Sequence, residues 1–542
     1  MKHLNYRHIL FLLLCFTLAA CKMSCVESKR GNATEKVIVN DAKQIVNLNL
    51  EEGQEYVVDG VVDLKGGNVV LPANVLISFK KGGALVNGTL TGNETRIKSK
   101  YDNVLGVKLS GTWCVDKISD MAFSTHYLTD QQIIDNLNTI QSDNIFNLVT
   151  INRDYEIIVP SSGKAAIKPS SHSKIEIKST MRLKGNNYKS YQIIDIRGKQ
   201  DVSIKGGRIM GDVGNHQYIE GTSSEWGMGI NIMQSKDVSI SGVYITKCTG
   251  DGIYISGGSE PSVGIYDKAS RNVTVRNVVC DNNRRQGLSI IHVDGLIVRD
   301  CSFVNTGCTE STQPSAGIDI EPNVSDNRNM SVRNVVVDNC TITNNKGMAI
   351  ATNNTYEMEG RVNYENILFS NCKTDGLLKA QSDDVTFRGC TFKEVYCASQ
   401  YAPTHIVFEK CTIAGGYGII LYAPSRPNID SEDRLLAVDF NKCKVSVSED
   451  NTETVALLSC YKSYVPNVEY VSFVECEITI PQTDKSYNLT SYSLKGKLKI
   501  ENTSINMHGH VFDASDAVLK KNRINCSGVL NMPPNTDNII NQ

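Results

Sequence analysis

Gly317-Ile-Asp-Ile-Glu-Pro-Asn323 decides the fold, because four other segments repeat its opening: Gly229-Ile-Asn-Ile, Gly252-Ile-Tyr-Ile, Gly287-Leu-Ser-Ile and Gly347-Met-Ala-Ile. Each reads glycine, apolar, variable, apolar, and the glycines stand 23, 35, 30 and 30 residues apart. Between them lies a second strand signal (Val238-Ser-Ile, Val273-Thr-Val, Leu296-Ile-Val, Met330-Ser-Val) and then a third (Val243-Tyr-Ile, Val278-Val, Cys301-Ser-Phe, Cys340-Thr-Ile). Strict alternation with polar turns and little helical periodicity marks short strands. Three strands per repeat of about 25–35 residues predict an all-β, right-handed single-stranded parallel β-helix. Each coil would stack on the next at about 4.8 Å and share one core, since no coil buries its inner face alone. The pattern continues weakly through Ile367-Leu-Phe, Val385-Thr-Phe, Ile406-Val-Phe and Val438-Asp-Phe to Leu498-Lys-Ile, and upstream in Val69-Val-Leu, Val75-Leu-Ile-Ser-Phe and Gly88-Thr-Leu.

Outward from the repeat, the chain divides into six parts. Residues 1–20 pair Lys2 and Arg7 with an apolar run, Ile9 to Ala20, of signal-peptide length. That run is short of the roughly 20 apolar residues a spanning helix needs. It ends in Leu18-Ala19-Ala20-Cys21, similar to a bacterial lipobox, which implies a lipidated Cys21 and an outer-membrane-anchored lipoprotein facing the periplasm or the cell surface. Residues 21–35 read as a polar tether, 36–115 as N-terminal β-coils, 116–180 as an irregular link, 181–530 as the main β-helix, and 531–542 as a polar tail. The link carries one short helix, with Thr129 or Asp130 as its cap and Ile133, Ile134, Leu137 and Ile140 on one face. A net charge of −2 supplies no basic field for nucleic acid.

Seventeen cysteines in an exported chain suggest disulfides, but their frame argues otherwise. Cys301, Cys340, Cys372, Cys390, Cys411, Cys443 and Cys476 all precede a short strand, where earlier repeats carry Val243 and Val278. A thiol that alternates with valine behaves as a small hydrophobe, so an internal stack of free cysteines is expected. Asn282, Asn305 and Asn344 recur after the same strand and predict an asparagine ladder in one turn. Trp113 reads as core, and His508 and His510 as exposed.

Several motifs, Gly206-Gly-Arg-Ile-Met-Gly-Asp212, His216, Glu225-Trp-Gly-Met-Gly229, Gly250-Asp-Gly-Ile-Tyr254, Asn283-Arg-Arg-Gln-Gly287 and Gly317–Asn323, resemble right-handed β-helix proteins of gut-type bacteria. That group is related to pectate-lyase-like and tailspike-like polysaccharide enzymes. Val75–Ile97 and Gly111-Thr-Trp113 are similar to the N-terminal coils of the same proteins, so the resemblance covers most of residues 45–355. It implies a carbohydrate-active role without fixing a reaction. Gly250-Asp251-Gly252 supplies one aspartate where the polygalacturonase branch has two, and the Gly-His-Gly and Arg-Ile-Lys motifs of that branch are missing.

If the isoleucines of the glycine-led strands point inward, the alternate positions form outward columns. One holds Asn231, Tyr254, Ser289, Asp319 and Ala349. The next holds Met233, Ser256, Ile291, Glu321 and Ala351, and Met228, Asp251, Gln286, Ala316 and Lys346 precede the glycines. Asp251, Asp319, Glu321 and Glu225 are therefore the candidate catalytic carboxylates. His216, Trp226, Tyr254, Arg284, Arg285, Gln286 and His292 are the candidate substrate-binding groups, with the insertion Gly211–Gly227 as a wall beside the face.

Three chemistries fit this set. Asp251 and Asp319, two coils and roughly 9–10 Å apart, approach the spacing of an inverting glycoside hydrolase. A lyase or epimerase on uronic-acid glycans would use Arg284 or Arg285, with Ca²⁺ held by Asp251, Asp319 and Glu321; the hydrolase needs no cofactor and no metal. A glycan-binding surface protein would use the same face without cleavage.

Overall fold

The computed structural model describes residues 36–40, 51–260, 265–322, 331–353 and 363–399, and shorter stretches between 324 and 541. Cys21 and the signal segment, like His508 and His510, lie outside the described residues. No helix among the described residues is long and apolar enough to cross a membrane.

The repeat closes into a right-handed parallel β-helix with three faces. Two faces are sheets of 15 strands and the third, the site sheet, has 12. Pairing within each face is parallel and skips the other two strands of the coil: Asp251–Ser256 pairs with Gln286–Ile290, and that strand with Ala316–Ile320. Ile230, Ile253, Leu288, Ile318 and Ile350 stack in one inward column, all fully buried. On the second 15-stranded face, Phe369, Phe387, Phe408, Phe440 and Phe473 stack ring on ring at centroid spacings of 5.2, 5.2, 4.8 and 4.7 Å. These spacings match the rise of a parallel sheet.

The N-terminal coils form a separate sheet of 7 strands, in which the long strand Ala84–Lys98 pairs with Leu105–Trp113. Trp113 is buried there and donates its indole N–H to the Ser110 carbonyl at 2.8 Å. The helix Asp130–Thr139 is capped by Thr129, whose hydroxyl accepts from Gln132 N while the Gln132 side chain answers the Thr129 N–H. Its apolar side, Ile133, Ile134 and Leu137, is buried. Asn136 pins the helix to the N-terminal coils through Leu109 N at 2.8 Å and Val107 O at 2.9 Å.

Two boundaries differ from the sequence reading. Residues 116–180 are no irregular link: Lys117–Ser119, Asn147–Ile151 and Ser173–Ile177 already pair in register on one face of the main solenoid. Their coils lack the glycine-led signature, so alternation of only three to five residues hid them. At the other end, Ile539–Asn541 pairs with Arg523–Cys526 as the last strand of its sheet.

All 14 cysteines among the described residues are free. Cys301 through Cys476 occupy one inward position, and the Val278 N–H sits 3.5 Å from the Cys301 sulfur in the neighbouring coil. Thr503 and Asn522 continue the row, with Cys476 N donating to Thr503 Oγ1 at 3.2 Å and Thr503 N to Asn522 Oδ1 at 2.9 Å. In the asparagine turn, Asn344 Nδ2 reaches Asn305 Oδ1 at 2.5 Å, whereas Asn282 turns to Thr309 at 2.6 Å.

Thiol titration of the native protein should therefore find Cys308, which is exposed, reacting ahead of the buried row. Denaturation without reductant should release most of the remainder. Mass mapping that finds four or more disulfides would remove the basis for a thiol row.

Candidate functional site

The outward columns of the site sheet carry the chemistry. In register, Asn231, Tyr254, Ser289 and Asp319 stand in one column. Asp251 and Gln286 stand beside each other three residues upstream, out of phase with that column. The next strand corrects the sequence reading: Asp319 faces Ala351, not Ala349, because Ile318 pairs with Ile350. Gly347 is a false marker of the frame. A Cβ there would lie 1.9 Å from the Pro314 carbonyl, so this glycine is required by a turn crossing close to its backbone. The shift brings Asn353 alongside Asp319, and the carboxamide donates to Asp319 Oδ1 at 2.8 Å.

Asp251 and Asp319 are joined by a chain of side chains. Ser289 Oγ donates to Asp251 Oδ2 at 2.7 Å and also contacts Gln286 Oε1, while Gln286 Nε2 donates to Asp319 Oδ2. Arg285 reaches Asp251 Oδ2 at 3.2 Å and Gln286 Oε1 at 3.0 Å. Its guanidinium is the common counter-charge: burial opposes its charge, but Asp251, Asp319, Glu225 and Glu321 together hold it above its ordinary value. Three carboxylates that sequence columns grouped, with Glu225 of the insertion, thus act on one cation.

The sequence reading placed these carboxylates on an open strand face. Asp251 is 0% and Asp319 1% exposed, and Gln286 and Ser289 are fully buried. Beside them lies a second apolar cluster, separate from the solenoid core, made of Met228, Tyr254, Ile291 and Met330. Burial drives the Asp251 carboxyl up to about 6 against the pull of Arg285 and Ser289. Asp319 rises to about 7, by burial first and the charge of Glu321 second. Burial also raises half-buried Glu321, with Arg285 and Lys379 opposing. Taking a carboxylate out of water disfavours its charged form, and Arg285, Lys379 and the hydroxyl and amide donors limit these shifts.

The other candidates divide. Trp226 is 42% exposed, with the Arg285 guanidinium 5.7 Å from its ring centre and Tyr254 edge-on at 6.2 Å. Arg284 is not a groove cation: it donates to the carbonyls of Ser223, Ser224 and Thr249 at 2.9, 3.4 and 3.3 Å and lies over the Tyr218 ring at 4.6 Å. It latches the insertion onto the coil. His216 is also withdrawn from the face, its Nδ1 2.8 Å from Asp212 in a buried pair to which Tyr191 donates at 2.7 Å. His292 is fully buried and accepts the Ser331 N–H at 3.0 Å, which makes it part of the coil rather than of a groove.

Sequence columns missed Asn353 and Lys379. Lys379 pairs in register with Ala351, donates to Asn353 Oδ1 at 2.9 Å, and is lowered by burial against the pull of Asp319 and Glu321. The signal was present as a lone cation in the outward position of Leu377-Leu-Lys-Ala-Gln, but the leading Gly376 stands one residue ahead of the frame of Gly317, so counting from it sends Lys379 inward.

Stacked parallel strands in three faces, with a buried hydrogen-bonded pair of aspartates on one of them, define a β-solenoid. The chain belongs to the family described as the right handed beta helix region, whose model matches residues 161–355 and 317–434, jointly half of the chain. It is similar to the SPbeta prophage-derived uncharacterized protein YorA of Bacillus subtilis (strain 168), 31% identical over 194 residues, 35% of this chain and 30% of that protein. The match therefore spans under a third of that relative's length. Among solved structures it is similar to a double mutant of the tailspike protein of E. coli bacteriophage HK620, at 10% identity, covering 75% of each chain with a TM-score of 0.44. It is also similar to the A-module of the mannuronan C-5 epimerase AlgE6 of Azotobacter vinelandii, at 10% identity over 73% of this chain and 91% of that one, TM-score 0.36. These likenesses are likenesses of fold.

The raised carboxyls carry a stability signature. A carboxyl whose native value lies above its unfolded value binds its proton more tightly when folded, so its contribution is complete below the unfolded value. It is lost as pH rises through the native one. For Asp251 and Asp319 that window runs from the ordinary aspartate value of 3.8 to about 6 and about 7. Melting temperature should fall across it, and Asp319→Asn should flatten the fall; an unchanged slope would contradict the assignment.

Proposed function

We propose that this protein is a polysaccharide-degrading glycoside hydrolase, with Asp319 as general acid and Asp251 as the carboxylate that activates water. The observation that carries this reading is the pair of bridged aspartates held at about 7 and about 6 beside an exposed tryptophan. Two carboxyls pushed to different values take opposite protonation states at one pH, as acid and base must. Between those values Asp319 keeps a proton for the leaving glycosidic oxygen, while Asp251, facing Arg285, is ionised. Their strands stand two coils apart, about 9–10 Å along the axis. Asp319 also lies three residues along its strand from the position opposite Asp251, and the two carboxylates are linked through Ser289 and Gln286. Such a bridge suits the roughly 6.5–9.5 Å gap of inversion better than the about 5 Å of retention. Exposed Trp226, backed edge-on by buried Tyr254, supplies a flat face for a sugar ring. Because both aspartates are buried, substrate access requires local opening, and Met228 and Met330 of the neighbouring apolar cluster have unbranched thioethers that repack readily.

The lyase reading needs a cation for the substrate carboxylate. Arg284 is engaged by three carbonyls and Arg285 by Asp251, so neither arginine assigned to that task is uncommitted. The complete hydrogen bonding of the Asp251–Ser289–Gln286–Asp319 chain favours a second reading, in which the relay only braces a glycan-binding face. Lipidation of Cys21 at the outer membrane belongs to the same proposal: a surface anchor would hold the solenoid beside extracellular glycan. Cys21→Ala should abolish incorporation of labelled palmitate in expressing cells, and undiminished labelling would rule Cys21 out.

Asp251→Asn and Asp319→Asn should each lower turnover by about 10² or more, the scale of general acid–base catalysis. Activity of the unaltered protein should be bell-shaped in pH, with limbs near the values of Asp251 and Asp319. Trp226→Ala should chiefly raise KM. Near-normal turnover in both asparagine variants, with the melting temperature shifted, would establish the bracing role.

A further inference from the structure

The column that carries Asp319 does not end at Lys379. Lys379 pairs in register with Tyr396, and two residues further along the same strand Ala398 pairs with Tyr422. Tyr396 is flanked by buried Val395 and Cys397, and Tyr422 by buried Leu421 and Ala423, so both rings leave the outer face of the site sheet. They lie 5.4 Å apart at 31°, and Tyr464, from the segment after the next site-sheet strand, meets Tyr422 edge-on at 5.1 Å. All three are part-exposed.

We infer that Tyr396, Tyr422 and Tyr464 form a distal binding platform for the same glycan chain, which lies along the helix axis from Trp226 across the carboxylates to these rings. The inference rests on the reading of the site sheet as a glycan-binding face. Tyr396 stands three coils beyond Asp319, about 14 Å, and Tyr422 about 5 Å further. One pyranose advances a polysaccharide by a comparable step, so a ring on successive coils meets successive sugars. Phenol rings present an apolar face to sugar C–H groups and a hydroxyl to their oxygens. With exposed Trp226 at the upstream end, the carboxylates sit between aromatic surfaces on both sides rather than at the end of one. The occupant is thus an extended oligosaccharide or polysaccharide, not a monosaccharide or a disaccharide.

The test is affinity electrophoresis of the full chain in gels cast with dextran, laminarin, xyloglucan, galactomannan or alginate. At least one polysaccharide should retard the unaltered protein. Tyr396→Ala with Tyr422→Ala should weaken that retardation roughly ten-fold, the scale of two stacked rings. Tyr396→Phe with Tyr422→Phe should largely restore it, which loss of folding could not. Asp319→Asn should abolish cleavage while leaving retardation in place, so failure of the hydrolase reading shows separately from failure of the platform. Equal retardation of the alanine variant and the unaltered protein would overturn the platform, as would absence of retardation in every gel.

Discussion

Everything in this molecule depends on the parallel register of stacked coils. Once Ile230, Ile253, Leu288, Ile318 and Ile350 are fixed above one another in the core, every outward side chain is fixed as well, because a slip of one residue would send the whole inward set to solvent. Residues 30 or more apart in sequence thereby become neighbours about 4.8 Å apart. Register alone sets Asp319 and Glu321 beside residues of the neighbouring coils, whereas Asp251, opposite Ala316 and three residues short of the Asp319 column, is joined to it through Ser289 and Gln286. The stacked phenylalanines and the row of thiols obey the same rule on other positions.

That rule also accounts for the cost of the site. Columns of like charge repel, and burying them is expensive unless they are paired and hydrogen-bonded. Here a single arginine answers four carboxylates, and Ser289, Gln286 and Asn353 supply donors to the two deepest. The compensation is incomplete, which is why Asp251 and Asp319 stay above the ordinary carboxylate range. Residual destabilisation of a charged form is also what makes a carboxyl useful as an acid near neutral pH.

The β-helix, its inward isoleucines, the thiol row and the grouping of Asp251, Arg285, Asp319 and Glu321 were legible because alternation and glycine-led strands repeat over five coils. Depth was not legible. Outward positions in a solenoid need not be exposed, and the apolar cluster of Met228, Tyr254, Ile291 and Met330 that accompanies the buried aspartates draws on residues scattered over several turns. Nor could the sequence show that Arg284 points to the insertion while its neighbour Arg285 points to the acids, since both occupy one turn. The misplacement of Ala349 and the omission of Asn353 share a cause: Gly347 marks a close backbone crossing instead of a strand start. His216 and His292 were drawn to the face by residue type, but each is held by a buried partner, Asp212 and Ser331.

The claim that the relay breaks glycosidic bonds is tested most directly by incubating the full chain with soluble polysaccharides, neutral and uronic, and reading the products two ways. The account predicts new reducing ends, with the anomer first formed inverted by proton NMR, and no ultraviolet absorbance from unsaturated uronate. Unsaturated products would contradict it in favour of elimination, and binding without any new ends would contradict it in favour of a glycan receptor.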